Sequence, residues 1–222
     1  MPVKIKSYLS PTDRLAEIMF GLIMAMTVIG AARVALLSGD EEVTGRVIIS
    51  AALGCNIAWG LVDAIMYVFT ELFDRGKYLG LVAKIKNCKD EETAIPIINK
   101  EIDSIILDSL SDDERKRVCS DVFKSVSRIE PKAARVTRDD IMGAIVCFLF
   151  TFATAFITVV PFYIRPWSLM IKMWLSRGIS FAMLFGIGYV YGKYTNRSKI
   201  KTAIGMVVIG LVINIVILLL GG

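Results

Sequence analysis

Five apolar stretches, each near the length that crosses a bilayer, dominate this chain: about Glu17–Leu37, Val47–Phe69, Ile141–Tyr163, Trp174–Tyr191 and Thr202–Leu220. Roughly 20 helical residues cover about 30 Å of hydrocarbon, and there every backbone N–H and C=O must find its partner inside the segment. Such stretches restrict the chain to a bundle of spanning helices. The 55% hydrophobic content exceeds the roughly 45–50% of soluble domains, and it is collected in blocks rather than scattered. The fourth stretch is the most dilute, with Arg177 near its start and Gly186, Gly188 and Gly192 inside it; an arginine near a helix end can reach the headgroups. Lys4, Lys6 and Arg14 precede the first block as in a signal peptide, but four more spans follow, so the block is expected to stay as a first transmembrane helix.

Between the second and third stretches the charges are dense and interspersed. Asp90 is a candidate N-cap, and Ile95, Ile98, Ile102, Ile105 and Ile106 follow at near-helical spacing. Ser111-Asp112-Asp113-Glu114 has the capping-box pattern, Val118, Val122, Phe123 and Val126 form a second apolar stripe, and Pro131 closes it. The predicted fold class is an all-α integral membrane protein: five transmembrane helices, with a cytosolic helical hairpin domain between the second and third, packed against the extended end of the second. The domains expected are 1–75 (N-terminal segment and helices 1 and 2), 76–138 (the hairpin domain) and 139–222 (helices 3 to 5).

Lysine and arginine near the membrane ends set orientation. The N-terminal segment, the flanks of the hairpin domain (Lys132, Arg135, Arg138) and the acid-free loop Lys193–Lys201 fall on one side; the loop with Asp40, Glu41 and Glu42 falls on the other. Arg165, Lys172 and Arg177 on that second side oppose the trend. The balance puts the N-terminus and hairpin domain in the cytoplasm and the C-terminus outside, in the cell membrane or a vacuolar-type membrane.

Asp63, inside the second stretch, is the most informative single residue. A carboxylate at membrane depth costs about 2.5–3.5 kcal/mol even on insertion scales, and such residues mark ion paths or pair with a neighbouring charge. Met66 follows at i+3 and Asn56 lies two turns earlier, roughly on one face. Asp13 and Glu17, one turn apart at the start of the first span, suit either helix capping or the mouth of a cation path. Oxygen ligands with an added sulfur favour first-row transition metals. Met19, Met24 and Met26 fit packing better than ligation. The acids of the hairpin domain, Glu91, Glu92 and Glu101 among them, could gather on metal or form a solvated face. Pro161, Gly188-x-x-x-Gly192 and Asn214 depart from plain apolar helix; the glycine pair permits close helix approach, here or in a dimer.

The chain has no histidine, so imidazole catalysis and imidazole metal sites are excluded. Cys55, Cys88, Cys119 and Cys147 have no CxxC pair, which suggests free thiols. No nucleophile elbow, phosphate loop or metalloprotease signature occurs, so an enzyme is not expected and no catalytic residue is assigned. The net charge of +5 is too modest to suggest nucleic acid.

The layout resembles the vacuolar iron transporter family. Thr12-Asp13-Arg14 matches the family's Asn-Asp-Gly opening of helix 1 at the Asp, and Pro161-Phe162 resembles the Pro-Phe pair that ends its third helix. Asp63-Ala64-Ile65-Met66-Tyr67 stands where the family carries Met-Ala-x-Gly-Glu, with carboxylate and methionine in exchanged order. The extension of helix 2, glutamate-rich in the family, is basic here from Arg75 to Lys89. The resemblance implies a homodimer with its path at the interface, exporting divalent metal (Fe²⁺ or Mn²⁺) from the cytosol in exchange for protons. The metal is then a substrate, with no permanently bound cofactor. The alternative is a non-transporting membrane anchor or adaptor whose hairpin domain binds a partner protein.

Overall fold

A computed structural model describes residues 8–39, 43–101, 110–130 and 133–219, and among them every regular element is a helix. The elements are α1 (Pro11–Leu37), α2 (Gly45–Lys86), α3 (Glu91–Glu101), α4 (Asp112–Ser127), α5 (Arg138–Tyr163), α6 (Leu169–Tyr194) and α7 (Lys199–Leu219). Five of them, α1, α2, α5, α6 and α7, are long and apolar enough to span a membrane. They cover the expected spans as far as Leu219, Leu220 lying outside the described residues, but begin earlier, because polar first turns such as Pro11–Ala16 are helical without being apolar.

Local chemistry explains the starts. Ser10 caps α1: the Asp13 N–H donates to its Oγ at 3.1 Å, and the Ser10 N–H donates back to Asp13 Oδ2 at 3.3 Å. Pro11 occupies the first turn, where its missing N–H costs nothing. Ser168 caps α6 by accepting from the Ile171 N–H. α2 runs 42 residues without a break, about 60 Å at 1.5 Å per residue, so the boundary expected at 75/76 falls inside a helix. Gly76 and Gly80 do not stop it; nothing lies within 4 Å of a Cβ added at either.

The chain divides into two compact units, Met1–Val68 with Arg138–Gly222, and Phe69–Thr137. In the first, Ile29, Ile48, Ala52, Val159, Phe162 and Met173 form one buried cluster, and Leu22, Met26, Leu184 and Ile187 another. Met26 is therefore a packing residue. α6 and α7 form a tight hairpin. A Cβ on Gly188 would stand 2.7 Å from Ala203 Cα, and one on Gly192 2.9 Å from Lys199 Cα. The Gly188-x-x-x-Gly192 pair is thus spent on this contact within the chain and is not available as a dimer face. Pro161 lies buried in the last turn of α5 beside Phe162.

In the second unit, Ile85, Ala94, Ile98 and Cys119 are buried together, with Ile95, Val122, Phe123 and Val126 against them. Asp90 Oδ1 accepts from the Thr93 N–H at 2.9 Å, as an N-cap does, and the Ser111–Glu114 capping box forms in both directions. Hydrogen bonding to each ionised carboxylate holds Asp90 and Glu114 below the usual carboxylate range. Val118 is exposed instead of joining the stripe. Ile102, Ile105, Ile106, Pro131 and Lys132, like Lys4, Lys6 and the acids Asp40, Glu41 and Glu42, lie outside the described residues.

Candidate functional site

Polar side chains from three helices meet between the second turn of α1 and the middle of α5. Glu17 is half-buried on α1, about 9 Å inside its start at 1.5 Å per residue. Thr151 of α5, itself buried, donates its Oγ1 hydrogen to Glu17 Oε2 at 3.0 Å. The thiol of Cys147, one turn earlier on α5, is within hydrogen-bonding reach of the same carboxyl. From α2, the Asp63 carboxyl lies directly against that of Glu17. Asp63 Oδ2 is buried and accepts no hydrogen bond. Asn56, two turns earlier on α2, is fully buried. Its Nδ2 donates to Ala52 O at 3.0 Å, while its Oδ1 is buried without a partner.

Gly21 makes the convergence possible. A Cβ there would stand 2.6 Å from Thr151 O and 3.1 Å from Asn56 Oδ1, so any larger residue would push α1 away from α5 and α2. A second glycine does the same lower down: Gly143 leaves room for the ring of Tyr67, whose hydroxyl donates to Tyr8 O at 2.9 Å. At Gly21 the obstruction is the Thr151 backbone, which cannot give way, so that position requires glycine; at Gly143 it is the end of the Tyr67 side chain.

Of the residues the sequence singled out, the structure brings the Glu17 and Asp63 carboxyls together; Asn56 is buried two turns further along α2, beside Gly21. Asp13 is exposed and engaged in the α1 capping box, which leaves Glu17 free to turn inward. Met66 does not join the group: it is 53% exposed on the outer surface of α2. Glu91 and Glu92 stand in the first turn of α3, where acids complement the helix dipole. Glu101 ends the same helix ten residues on, about 15 Å away, so these three cannot share an ion. Glu101 instead lines a groove with Asp74, Lys77 and Lys84. Among the described residues, no three of Asp, Glu, Cys and His are arranged to hold a metal ion.

Thr151 and Cys147 were not anticipated. Their i, i+4 spacing on an apolar helix resembles ordinary hydroxyl-to-carbonyl bonding, and Thr151 does also reach Cys147 O at 3.4 Å. At the other end of the bundle, the guanidinium groups of Arg33 and Arg177 both lie on the Trp174 ring, at 4.5 and 5.4 Å from its centroid.

The family model of the VIT family matches residues 90–222, more than half of the chain. The chain belongs to the vacuolar iron transporter (VIT) family. The VIT family moves metal ions across membranes and is not a family of enzymes, and this chain is an integral membrane protein of that kind. No curated protein matches the sequence. The matched stretch holds α5 to α7 but not α1 or α2. The VIT match therefore includes Cys147 and Thr151, while Asp13, Glu17, Asn56, Asp63 and Met66 lie outside it.

Proposed function

We propose that this VIT-family chain exports a divalent transition metal, iron or manganese, from the cytosol in exchange for protons, and that Glu17 and Asp63 form the intramembrane site through which both pass. One observation carries the reading: two carboxyls from different helices lie against each other inside the membrane region, one with a buried oxygen that nothing satisfies. Two carboxylates side by side in low dielectric repel, and either a proton shared between them or a cation relieves that repulsion. The same pair can then hold one or the other in turn, which couples the two fluxes. Carboxylate oxygens, with the neutral Asn56 Oδ1 further along α2, suit hard divalent ions, Mn²⁺ among them.

The assembly proposed is a homodimer. Trp59, Val62, Ile65, Met66 and Phe69 leave a broad apolar face exposed on α2, which fits lipid or a second copy of the chain. A second copy would place Met66 at the shared interface, where its thioether could serve a passing metal. The distribution of Lys and Arg supports the N-terminus and α3–α4 on the cytosolic side and the C-terminus outside.

The test is flux into liposomes holding the purified chain and a metal-sensitive dye. Fe²⁺, Mn²⁺, Co²⁺ and Zn²⁺ are offered in turn, with and without a proton gradient. Flux that depends on metal, gradient and Asp63 supports the proposal. A folded, oriented chain that carries none of these ions sinks it, as does full activity in Asp63→Asn.

A further inference from the structure

We infer that the α6–α7 end of the bundle is a binding site for an anionic phospholipid, with the headgroup phosphate on Arg197 and Lys201 and an acyl chain lying along α7. The inference needs only that α6 and α7 cross the bilayer, and it stands apart from the metal path.

A groove of about 510 Å³ opens at this turn, and its lining changes character along its length. At the helix ends it is polar and basic, with Arg197, Lys201 and Thr202; about two and three turns into α7 it becomes apolar, with Gly205, Met206 and Ile209. That volume lies within the range of small-ligand sites, and the polar-to-apolar order is the order of a phospholipid.

The turn is built to hold these cations in place. Asn196 takes a left-handed conformation, φ 53°, which asparagine tolerates better than most residues. The Arg197 N–H then donates to Gly192 O at 3.0 Å, and the close contact of Gly192 with Lys199 locks the hairpin. Arg197 and Lys201 are thus delivered to the mouth of the groove by backbone geometry.

Electrostatics at this end lack a partner. No Asp or Glu occurs after Asp140. α7 opens with Lys199 and Lys201 and no acid in its first turn, although a helix N-terminus is itself positive and favours anions. Lys199 rests its ammonium on the Tyr189 ring at 5.8 Å; Arg197 and Lys201 form no ion pair with any described residue. Clustered cations on a positive helix end destabilise one another unless an anion joins them. At a membrane boundary the abundant anion is a lipid phosphate. On the proposed orientation this end faces the cytoplasmic leaflet, where anionic lipids concentrate.

Native mass spectrometry of the full chain in detergent, titrated with phosphatidylglycerol or phosphatidylcholine of the same acyl chains, tests this. Phosphatidylglycerol should be retained in preference. Arg197→Gln with Lys201→Gln should weaken it on the order of 25-fold, about fivefold for each cation removed, with unchanged thermal unfolding because both side chains are exposed. Gly205→Leu probes the apolar half with the cations intact. Nothing lies within 4 Å of a Cβ at Gly205, so the fold accepts it, and retention should drop several-fold. Equal retention of the two lipids, wild-type binding by the glutamine double variant, or wild-type binding by Gly205→Leu would each overturn the inference. Displacement of the lipid by millimolar inorganic phosphate would also overturn it, by showing a site for the free ion.

Discussion

Two polar seams run through the same bundle, and they are finished differently. In the seam between α5 and α6 every buried hydroxyl has a carbonyl: Thr154 donates to Phe150 O at 2.7 Å, Thr158 to Ala155 O at 2.7 Å, Ser176 across the interface to Thr158 O at 2.6 Å, and Ser180 to Ser176 O at 2.9 Å. In the seam where α1, α2 and α5 meet, Thr151 spends its hydrogen on a carboxylate, and Asp63 Oδ2 and Asn56 Oδ1 are left with nothing. Unsatisfied buried oxygens carry a penalty of about 1–3 kcal/mol each, so a seam that serves only to pack helices closes them, as the first one does. The open oxygens at the second are the observation on which the proposed site rests.

The contrast breaks most sharply at Asp63. Asp63→Asn keeps the size and removes the charge, so the chain should fold, insert and unfold thermally as before. Metal flux should drop on the order of 100-fold or more, the upper range for even an outer-shell change at a metal site. Ser180→Ala in the closed seam is the control. The Ser180 bond to Ser176 O lies within α6, so thermal stability should change little and flux should stay unchanged. If the two variants behave alike, the seams do not differ in kind.

Overpacking separates the seams by another route. Gly188→Leu and Gly21→Leu both force a side chain into backbone, and each should cost about 1–3 kcal/mol or more, read as loss of thermal stability in detergent. The distinction is in function. At Gly21 a residual folded population should have lost transport, because the added side chain displaces Thr151 and Asn56. At Gly188 the folded fraction should transport normally per molecule. A finer cut is Thr151→Ala, which removes the donor to Glu17. A hydrogen bond to a charged group contributes about 1.5–3 kcal/mol, so apparent metal affinity should shift about tenfold or more. Thr151→Ser should restore it.

The membrane architecture was legible because hydropathy alone enforces it: no alternative satisfies the backbone of five such stretches in lipid. Helix ends were less so, since a polar first turn and a loop look alike until a cap is seen. The unbroken α2 was hidden by Gly76 and Gly80, which suggest a stop yet sit in open space and permit helix to continue. Asp63 and Asn56 announced themselves as polar residues in an apolar block. Glu17 did not, because Asp13 and Glu17 suit a first turn equally well; only the structure shows Asp13 taking the cap and Glu17 turning inward. Met66 shares a nominal face with Asp63, but one i+3 step rotates it far enough to leave the seam. Thr151 and Cys147 became visible only through a partner on another helix, which periodicity within one segment cannot supply.

The smallest effect belongs to the second unit, where polar groups are satisfied locally and at the surface. Asp90 and Glu114 titrate below their usual range because the hydrogen bonds they accept, from Thr93 and from Ser111 respectively, are stronger to the ionised carboxylate. For a group whose folded pKa is depressed, the stabilisation is present above the unfolded value, about 3.9 for Asp and 4.3 for Glu, and is lost as pH falls through the folded value. The N-terminal turns of α3 and α4 should therefore hold at neutral pH and loosen below about pH 4. Amide exchange at Thr93 and Ser111, the N–H groups that donate to the two carboxylates, reads this directly. Glu114→Gln should flatten the pH dependence at α4 only, since a neutral amide still reaches the Ser111 N–H but no longer titrates. The intramembrane seam should give the opposite pattern, with its pH response seen in flux rather than helix stability. An acid-labile helix start in α3 or α4 that tracks metal flux would join the two regions and erase the distinction drawn between them.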